Sequence, residues 1–276
     1  MNRSQLAINA VTVTLDGQNL PDALAAFHKA GFTQLEFQLG QVRTWLNAGH
    51  AVEETKALLD ANGLTLLGGF ELGLEVFTPP DSLEANLSAQ VENARLIDAL
   101  GGGMLVFGTD GPAGPVSVET LSAVAERVKA LLAATADLNV TLGLEFNWGP
   151  VLKSLETAVL VAQLVDDPRV GVVFDTAHYH CTVTKFEDLT PEIVRWITLV
   201  HLNDMRDIPG DLSNCNSDRV LLGDGILPIP SILNALEQGG YTGPCSIELF
   251  NDDLWAMTPQ AVAPVLYQNL LGYVTD

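Results

Sequence analysis

Short aliphatic and β-branched runs alternate along this chain with longer stretches in which Ala, Leu and Glu recur at helical spacing. A brief continuous apolar run reads as a buried strand, and a recurrence near ~3.6 residues reads as an amphipathic helix. Strands are predicted over residues 6–13, 34–38, 64–70, 104–107, 140–146, 170–175, 197–202 and 245–250. Helices are predicted near 20–29, 52–62, 82–100, 116–136, 154–165, 229–238 and 259–271, with a poorly patterned one before Trp196. Gly31, Gly63, Gly101 and Gly240 stand where four of these helices should stop, since glycine accepts the left-handed backbone of a helix end.

Strict βα alternation implies a parallel sheet. Eight repeats favour closure into one (β/α)8 barrel spanning residues 1–276, with an open doubly wound sheet as the alternative. A dinucleotide-binding sheet is the weaker reading, because no G-x-G-x-x-G follows the first strand. No low-complexity tract or Ser/Gly-rich linker marks a domain boundary.

Composition narrows the class. With 47% hydrophobic residues the chain can fill a large core, yet no apolar run reaches the ~18 residues a membrane span needs. Residues 1–13 lack the charged head and apolar stretch of a secretory leader, so a cytoplasmic location is expected. Cys181, Cys215 and Cys245 form no C-x-x-C pair, which argues against a disulfide framework or a zinc knuckle. Thirteen basic against 34 acidic residues give a net charge of −21. That field repels phosphate backbones and draws cations to clustered carboxylates. The expected partner is a small molecule, not nucleic acid or a membrane, and a homo-oligomer stays open.

In a parallel barrel the carboxyl ends of the strands share one mouth, where chemistry resides. The fifth strand ends Leu144-Glu145-Phe146, and the sixth ends Phe174-Asp175-Thr176-Ala177-His178. The seventh ends Val200-His201-Leu202-Asn203-Asp204, and the eighth ends Ser246-Ile247-Glu248-Leu249-Phe250. Neighbouring strands lie ~4.8 Å apart, so four such side chains at equivalent heights can converge. A lone Glu at a strand end is ordinarily a solvated rim residue, and a lone His a core residue. An acid stranded in an apolar strand is costly, however, and a cation removes the cost. The set Glu145, Asp175, His201 and Glu248 suits one divalent ion, Mn2+ first and otherwise Mg2+, Co2+ or Zn2+. Without a thiolate it does not suit structural zinc.

Other residues are candidates around that set. His178 is expected to hydrogen-bond substrate, the plain alternative being a surface histidine; His28 and His180 read as ordinary. Glu36, in the second strand, is a candidate acid standing behind the ligands. The long connection 211–228 carries Arg219, which can grip substrate oxygens or simply pair with Asp218 at the surface. Phe70, Trp148 and Trp255 are candidate apolar walls for a sugar-like ring, or plain core.

These four strand ends resemble those of the xylose-isomerase-like TIM barrels, the sugar-phosphate isomerase/epimerase superfamily. Asp218-Arg219-Val220, running into Gly223-Asp224-Gly225 and later Ile247-Glu248-Leu249-Phe250, is similar to the inosose (2-keto-myo-inositol) isomerases among them. The loop 207–212 departs from that pattern. The resemblance implies that Glu145, Asp175, His201 and Glu248 hold the metal. It further implies that Glu145 and Glu248 form the acid/base pair, with His178 and Arg219 on the substrate.

Chemistry leads to the same class. A metal bound to a carbonyl and its neighbouring hydroxyl acidifies the proton between them, and two flanking carboxylates can move it through a cis-enediolate. The expected activity is sugar or cyclitol isomerisation or epimerisation. An inosose or 3-dehydroshikimate dehydratase-type lyase on the same scaffold is the alternative. An apurinic endonuclease-like barrel would want more His ligands and a basic surface, and a non-catalytic polyol-binding barrel would not need the acid/base pair. With one arginine near the mouth, an unphosphorylated substrate is expected.

Overall fold

In the computed structural model, which describes residues 1–275, the first strand is shorter than its apolar run. Strand β1 covers Leu6–Asn9; the Asn9 side chain then accepts from the Val11 amide and turns the chain into a 3-10 helix over Ala10–Thr12. Helix α1 (Leu20–Ala30) ends at Gly31, with φ +117°. A Cβ there would also sit 2.6 Å from the Tyr267 ring, so glycine serves both the turn and the packing.

Strand β2 (Gln34–Gln38) runs straight into a helix absent from the expectation, α2 (Leu39–Asn47). Its cap is the Gln38 side chain accepting from the Gln41 amide, and glutamine is not a residue that announces a helix start. Then follow α3 (Val52–Ala61), β3 (Thr65–Phe70), α4 (Pro80–Ala99), β4 (Met104–Phe107), α5 (Val118–Ala134), β5 (Thr141–Glu145), α6 (Leu155–Val165) and β6 (Val170–Asp175). Ser117 and Ser154 cap α5 and α6 by accepting from the amides of Thr120 and Thr157. The poorly patterned segment resolves into two short helices, α7 (Thr176–Cys181) and α8 (Pro191–Val194).

Strand β7 (Ile197–Leu202) leads into a small antiparallel hairpin of β8 (Asp204–Met205) and β9 (Arg219–Val220), which folds much of the expected long loop. After α9 (Ile229–Gln238), β10 covers only Cys245–Ile247, although the Glu248 amide still donates to Leu202 O. Helices α10 (Asp252–Trp255) and α11 (Pro259–Leu271) complete the chain.

The eight barrel strands are parallel and closed in the order β1-β10-β7-β6-β5-β4-β3-β2. One apolar layer joins the strands to the helices, as Phe27, Leu35, Val124, Val172, Ile232 and Leu266 illustrate. A second, smaller cluster fills the barrel interior with Val106, Val173 and Leu199, flanked by Leu67, Phe70 and Met104. Each fully buried aliphatic side chain stabilises the fold by roughly 1.5–3 kcal/mol relative to exposure. No helix among the described residues is long and apolar enough to cross a membrane.

The register shows how tilted strands deliver the expected equal heights. Asp175 pairs with His201, but Glu145 pairs with Val173, and His201 pairs with Ser246, two residues before Glu248. Each stagger is two residues, which keeps the side chains on the inner face; a one-residue slip would turn them outward. Strand tilt in a closed barrel then brings the staggered ends to one point.

Candidate metal centre

Glu145, Asp175, His201 and Glu248 each offer a donor atom, and these atoms all lie within 4.8 Å of one another. His201 Nδ1 is 3.0 Å from Glu145 Oε1, 3.4 Å from Glu248 Oε2 and 3.7 Å from Asp175 Oδ2. Its other ring nitrogen, Nε2, faces Glu36 Oε2 at 3.2 Å. Arg219 enters from the hairpin, with Nη1 2.7 Å from Glu248 Oε2 and 3.0 Å from Asp175 Oδ2. Its Nε donates to Cys215 O over 2.6 Å, and the guanidinium lies over the Phe250 ring at 4.9 Å.

The charges are strongly coupled. Burial raises the Asp175 carboxyl, but Arg219, His178 and His201 outweigh it and hold that group well below the usual carboxylate range. Burial lifts Glu248 to about 8, against the pull of His201 and Arg219. For His201, burial disfavours the cation, yet Glu248, Glu36 and the hydrogen bond to Glu145 carry it well above its ordinary value. Burial pushes His178 down despite Asp175 and Glu145.

A small divalent ion fits this donor set. Asp175 Oδ2 accepts no well-aligned hydrogen bond among the described residues and meets the Arg219 charge at 3.0 Å, so this buried anionic oxygen keeps donor capacity facing the cluster. The donors are three carboxylates and one imidazole, a hard-to-borderline set.

Beside the cluster, a cavity of about 300 Å3 opens between the ends of β3, β4 and β5. Phe70, Phe107, Thr109 and Asn147 line it together with Glu145. The Thr109 hydroxyl is buried and has no partner among the described residues. Aromatic faces with a few polar groups suit the C–H and O–H faces of a polyol.

A family model described as the xylose isomerase-like TIM barrel matches residues 24–267. The chain belongs to this family. This xylose-isomerase-like barrel is similar to the inosose isomerases of Bacillus velezensis and Bacillus subtilis, 31% and 30% identical over 124 residues. That stretch is 44% of this chain and 44% of each of those proteins, so the match spans less than half of these curated relatives. The rhizopine catabolism protein MocC of Rhizobium meliloti is 26% identical over an alignment covering 96% of this chain and 86% of that protein. Among solved structures, an IOLI protein with a bound zinc atom superposes with a TM-score of 0.87 at 19% identity, covering 98% of both chains. A D-allulose 3-epimerase from Methylomonas sp. gives 0.78 at 18% identity, again over 98% of both. At such identities the structural likeness speaks for the fold alone.

Within this barrel the expected site residues fall as follows. Glu145, Asp175, His201 and Glu248 come together at the mouth. His178 sits in the first turn of α7, buried, with Nε2 3.9 Å from Glu145 Oε2. Arg219 is 1% exposed and pairs inward with Asp175 and Glu248, not with Asp218 at the surface. Phe70 lines the cavity, whereas Trp148 is 55% exposed and Trp255 is tied by Nε1 to Val11 O. His180 holds Ile208 O and is structural.

Three polar residues escaped the sequence reading. Asn9 Nδ2 donates to Glu248 Oε1 over 2.8 Å, and Asn203 Nδ2 donates to Asp175 Oδ1 over 3.2 Å. Asp204 accepts from the amides of Met205, Gly223, Gly225 and Leu227. For Asn9 a signal existed: a polar residue at an inward position of an otherwise apolar strand.

Proposed function

We propose that this protein is a divalent-metal-dependent isomerase or epimerase of an uncharged sugar or cyclitol, with an inosose as the candidate substrate. The observation that carries the reading is the convergence of four donors from adjacent strands, all within 4.8 Å, next to a polyol-sized cavity. The likeness to inosose isomerases supports the cyclitol.

Glu145, Asp175, Glu248 and His201 Nδ1 would hold the ion, which supplies the charge that makes a C–H beside a carbonyl acidic. The rest falls to the chain. The Glu145 side chain is 18% exposed against 5% for Glu248 and lines the cavity, which supports Glu145 as the group that takes a proton from carbon. Glu248, held by Asn9 and Arg219, is its fixed counterpart for returning a proton at the neighbouring carbon or the opposite face. His178 and Arg219, which flank the ligand carboxylates, would donate to substrate oxygens, where negative charge grows as the proton leaves. Glu71 and Asp110 also line the cavity, a surrounding that disfavours a phosphate ester.

Protein loaded with Mn2+ or Zn2+ is to be incubated with a panel of inososes and ketoses in heavy water and followed by NMR and product mass. The expected result is deuterium at the carbon beside the carbonyl and a product that keeps all its atoms. A product lighter by one water would make the enzyme a lyase. No turnover across the panel would sink the isomerase reading.

A further inference from the structure

Glu36 is fully buried, lies outside the four donors and approaches only one of them. Its Oε2 is 3.2 Å from His201 Nε2, and its Oε1 has no partner among the described residues. Strands β2 and β7 are not neighbours; β1 and β10 stand between them. Asn9 and Glu248 reach each other inside the barrel, so by alternation the inward residues one step below them are Ala7 and Ser246. Both are small and buried, which leaves a carboxylate and an imidazole room to meet across two strands.

The reach also depends on a local irregularity. The register between β2 and β3 shifts between Leu35 and Glu36, so that Leu35 pairs with Leu66 but Glu36 with Gly68. A bulge of this kind re-aims the side chain that follows it. Gly68 lets β3 approach β4 closely: a Cβ there would lie 2.0 Å from Met104 O.

Resting on the metal-dependent reading above, we propose that Glu36 is a positioning residue for His201. It accepts the Nε2 proton, fixes the tautomer in which Nδ1 carries the lone pair, and holds the ring with Nδ1 toward Glu145, Asp175 and Glu248. A free imidazole has two tautomers and a rotatable ring, and only one arrangement offers Nδ1 to a cation. A carboxylate on the far nitrogen selects that arrangement and makes the ligand nitrogen more electron-rich. Nothing else within the described residues contacts Nε2: the remaining polar contacts of His201 are made by Nδ1.

The test uses Zn2+ alone as the probe, so that it needs no substrate. Zinc affinity is measured by competition with a chromophoric chelator for the wild type, Glu36→Gln and Glu36→Leu. The His201 ring nitrogens of the zinc-loaded wild type are read by long-range 15N–1H NMR, assigned against His201→Asn. The expected spectrum shows a protonated Nε2 and an unprotonated, metal-shifted Nδ1. Glu36→Leu is expected to weaken zinc binding about 100-fold and Glu36→Gln, whose carbonyl can still accept the proton, about 10-fold. Wild-type affinity in Glu36→Leu overturns the proposal while leaving the metal reading intact. So does a wild-type spectrum with the proton on Nδ1, a measurement that holds even where a variant fails to fold. Failure of the wild type to bind zinc at this cluster overturns the metal reading and the proposal together.

Discussion

The Arg219 guanidinium donates from Nη1 to Glu248 Oε2 across 2.7 Å, with the arginine 1% and the glutamate 3% exposed. A buried ion pair gains little over an apolar pair, but removing one partner strands the other. Arg219→Met is therefore expected to cost about 3–5 kcal/mol, because Asp175 and Glu248 lose their shared cation. Denaturant unfolding with and without saturating Zn2+ checks this. The loss should shrink when an ion supplies the missing charge, and an equal loss in both conditions would mean that Arg219 is a packing residue only.

Metal binding should itself be visible as stability. A ligand at about 100 times its dissociation constant stabilises the folded state by about 2.7 kcal/mol. For a chain of this size that is a rise in melting temperature of roughly 5–10 °C. Asp175→Asn is expected to abolish the rise, since it removes one of the three carboxylates whose oxygens face the cluster. Thermal scans with Mn2+, Zn2+ and chelator measure it.

Both glutamates of the proposed acid/base pair can be tested by exchange. Glu145→Gln and Glu248→Gln are each expected to lower kcat about 100- to 10,000-fold, the usual contribution of a positioned proton carrier. Solvent deuterium should no longer enter the substrate in either variant. Retained exchange in Glu145→Gln would move the proton-abstracting role away from Glu145.

The Thr109 hydroxyl gives a prediction of opposite sign for stability and for binding. It is buried without a protein partner, so Thr109→Val removes an unsatisfied group and should leave stability unchanged or slightly raised. If a substrate hydroxyl is the missing partner, KM should rise about 2- to 10-fold, equivalent to one net hydrogen bond of ~0.5–1.5 kcal/mol. Steady-state kinetics beside a melting curve separates the two effects. Unchanged KM would take Thr109 out of the substrate site.

Much of this architecture is readable along the chain because it is periodic and local. The strand β6, Val170–Asp175, is buried throughout and reads as one apolar run closed by an acid. His201 and Glu248 stand out by the same contrast, a polar residue ending an apolar strand. What escapes is whatever depends on closure. Asn9 meets Glu248 across 239 positions of sequence, and Glu36 meets His201 across 165. Neither pairing leaves a local spacing to detect. Helix α2 escapes for another reason, since it starts without a loop on a glutamine cap. The common height of the ligands is legible as a polar residue ending each strand, whereas the two-residue staggers that strand tilt requires leave no mark on the amino-acid pattern.

Asp204 controls the segment that follows the hairpin. Its Oδ1 accepts from the amides of Met205 and Leu227, each at 2.8 Å, and its Oδ2 from those of Gly223 and Gly225, at 3.0 and 3.2 Å. Gly223 has φ +90°, and a Cβ on Gly225 would lie 2.2 Å from Met205 O, so this backbone is shaped to wrap one carboxylate. The segment continues β9, which carries Arg219 into the site. Asp204→Asn keeps the shape but turns an amide NH2 group toward two of the four N–H donors, and both lose their acceptor. The pair that faces the NH2 group, the amides of Gly223 and Gly225 or those of Met205 and Leu227, should then exchange with solvent 10- to 100-fold faster, about the loss of one or two hydrogen bonds of ~1 kcal/mol each. Catalytic efficiency should fall with them as Arg219 loses its support, while amides in the β5 and β6 strands keep their wild-type protection. Hydrogen exchange read by mass spectrometry resolves the two regions. Uniform loss of protection would instead mark Asp204 as a determinant of global stability.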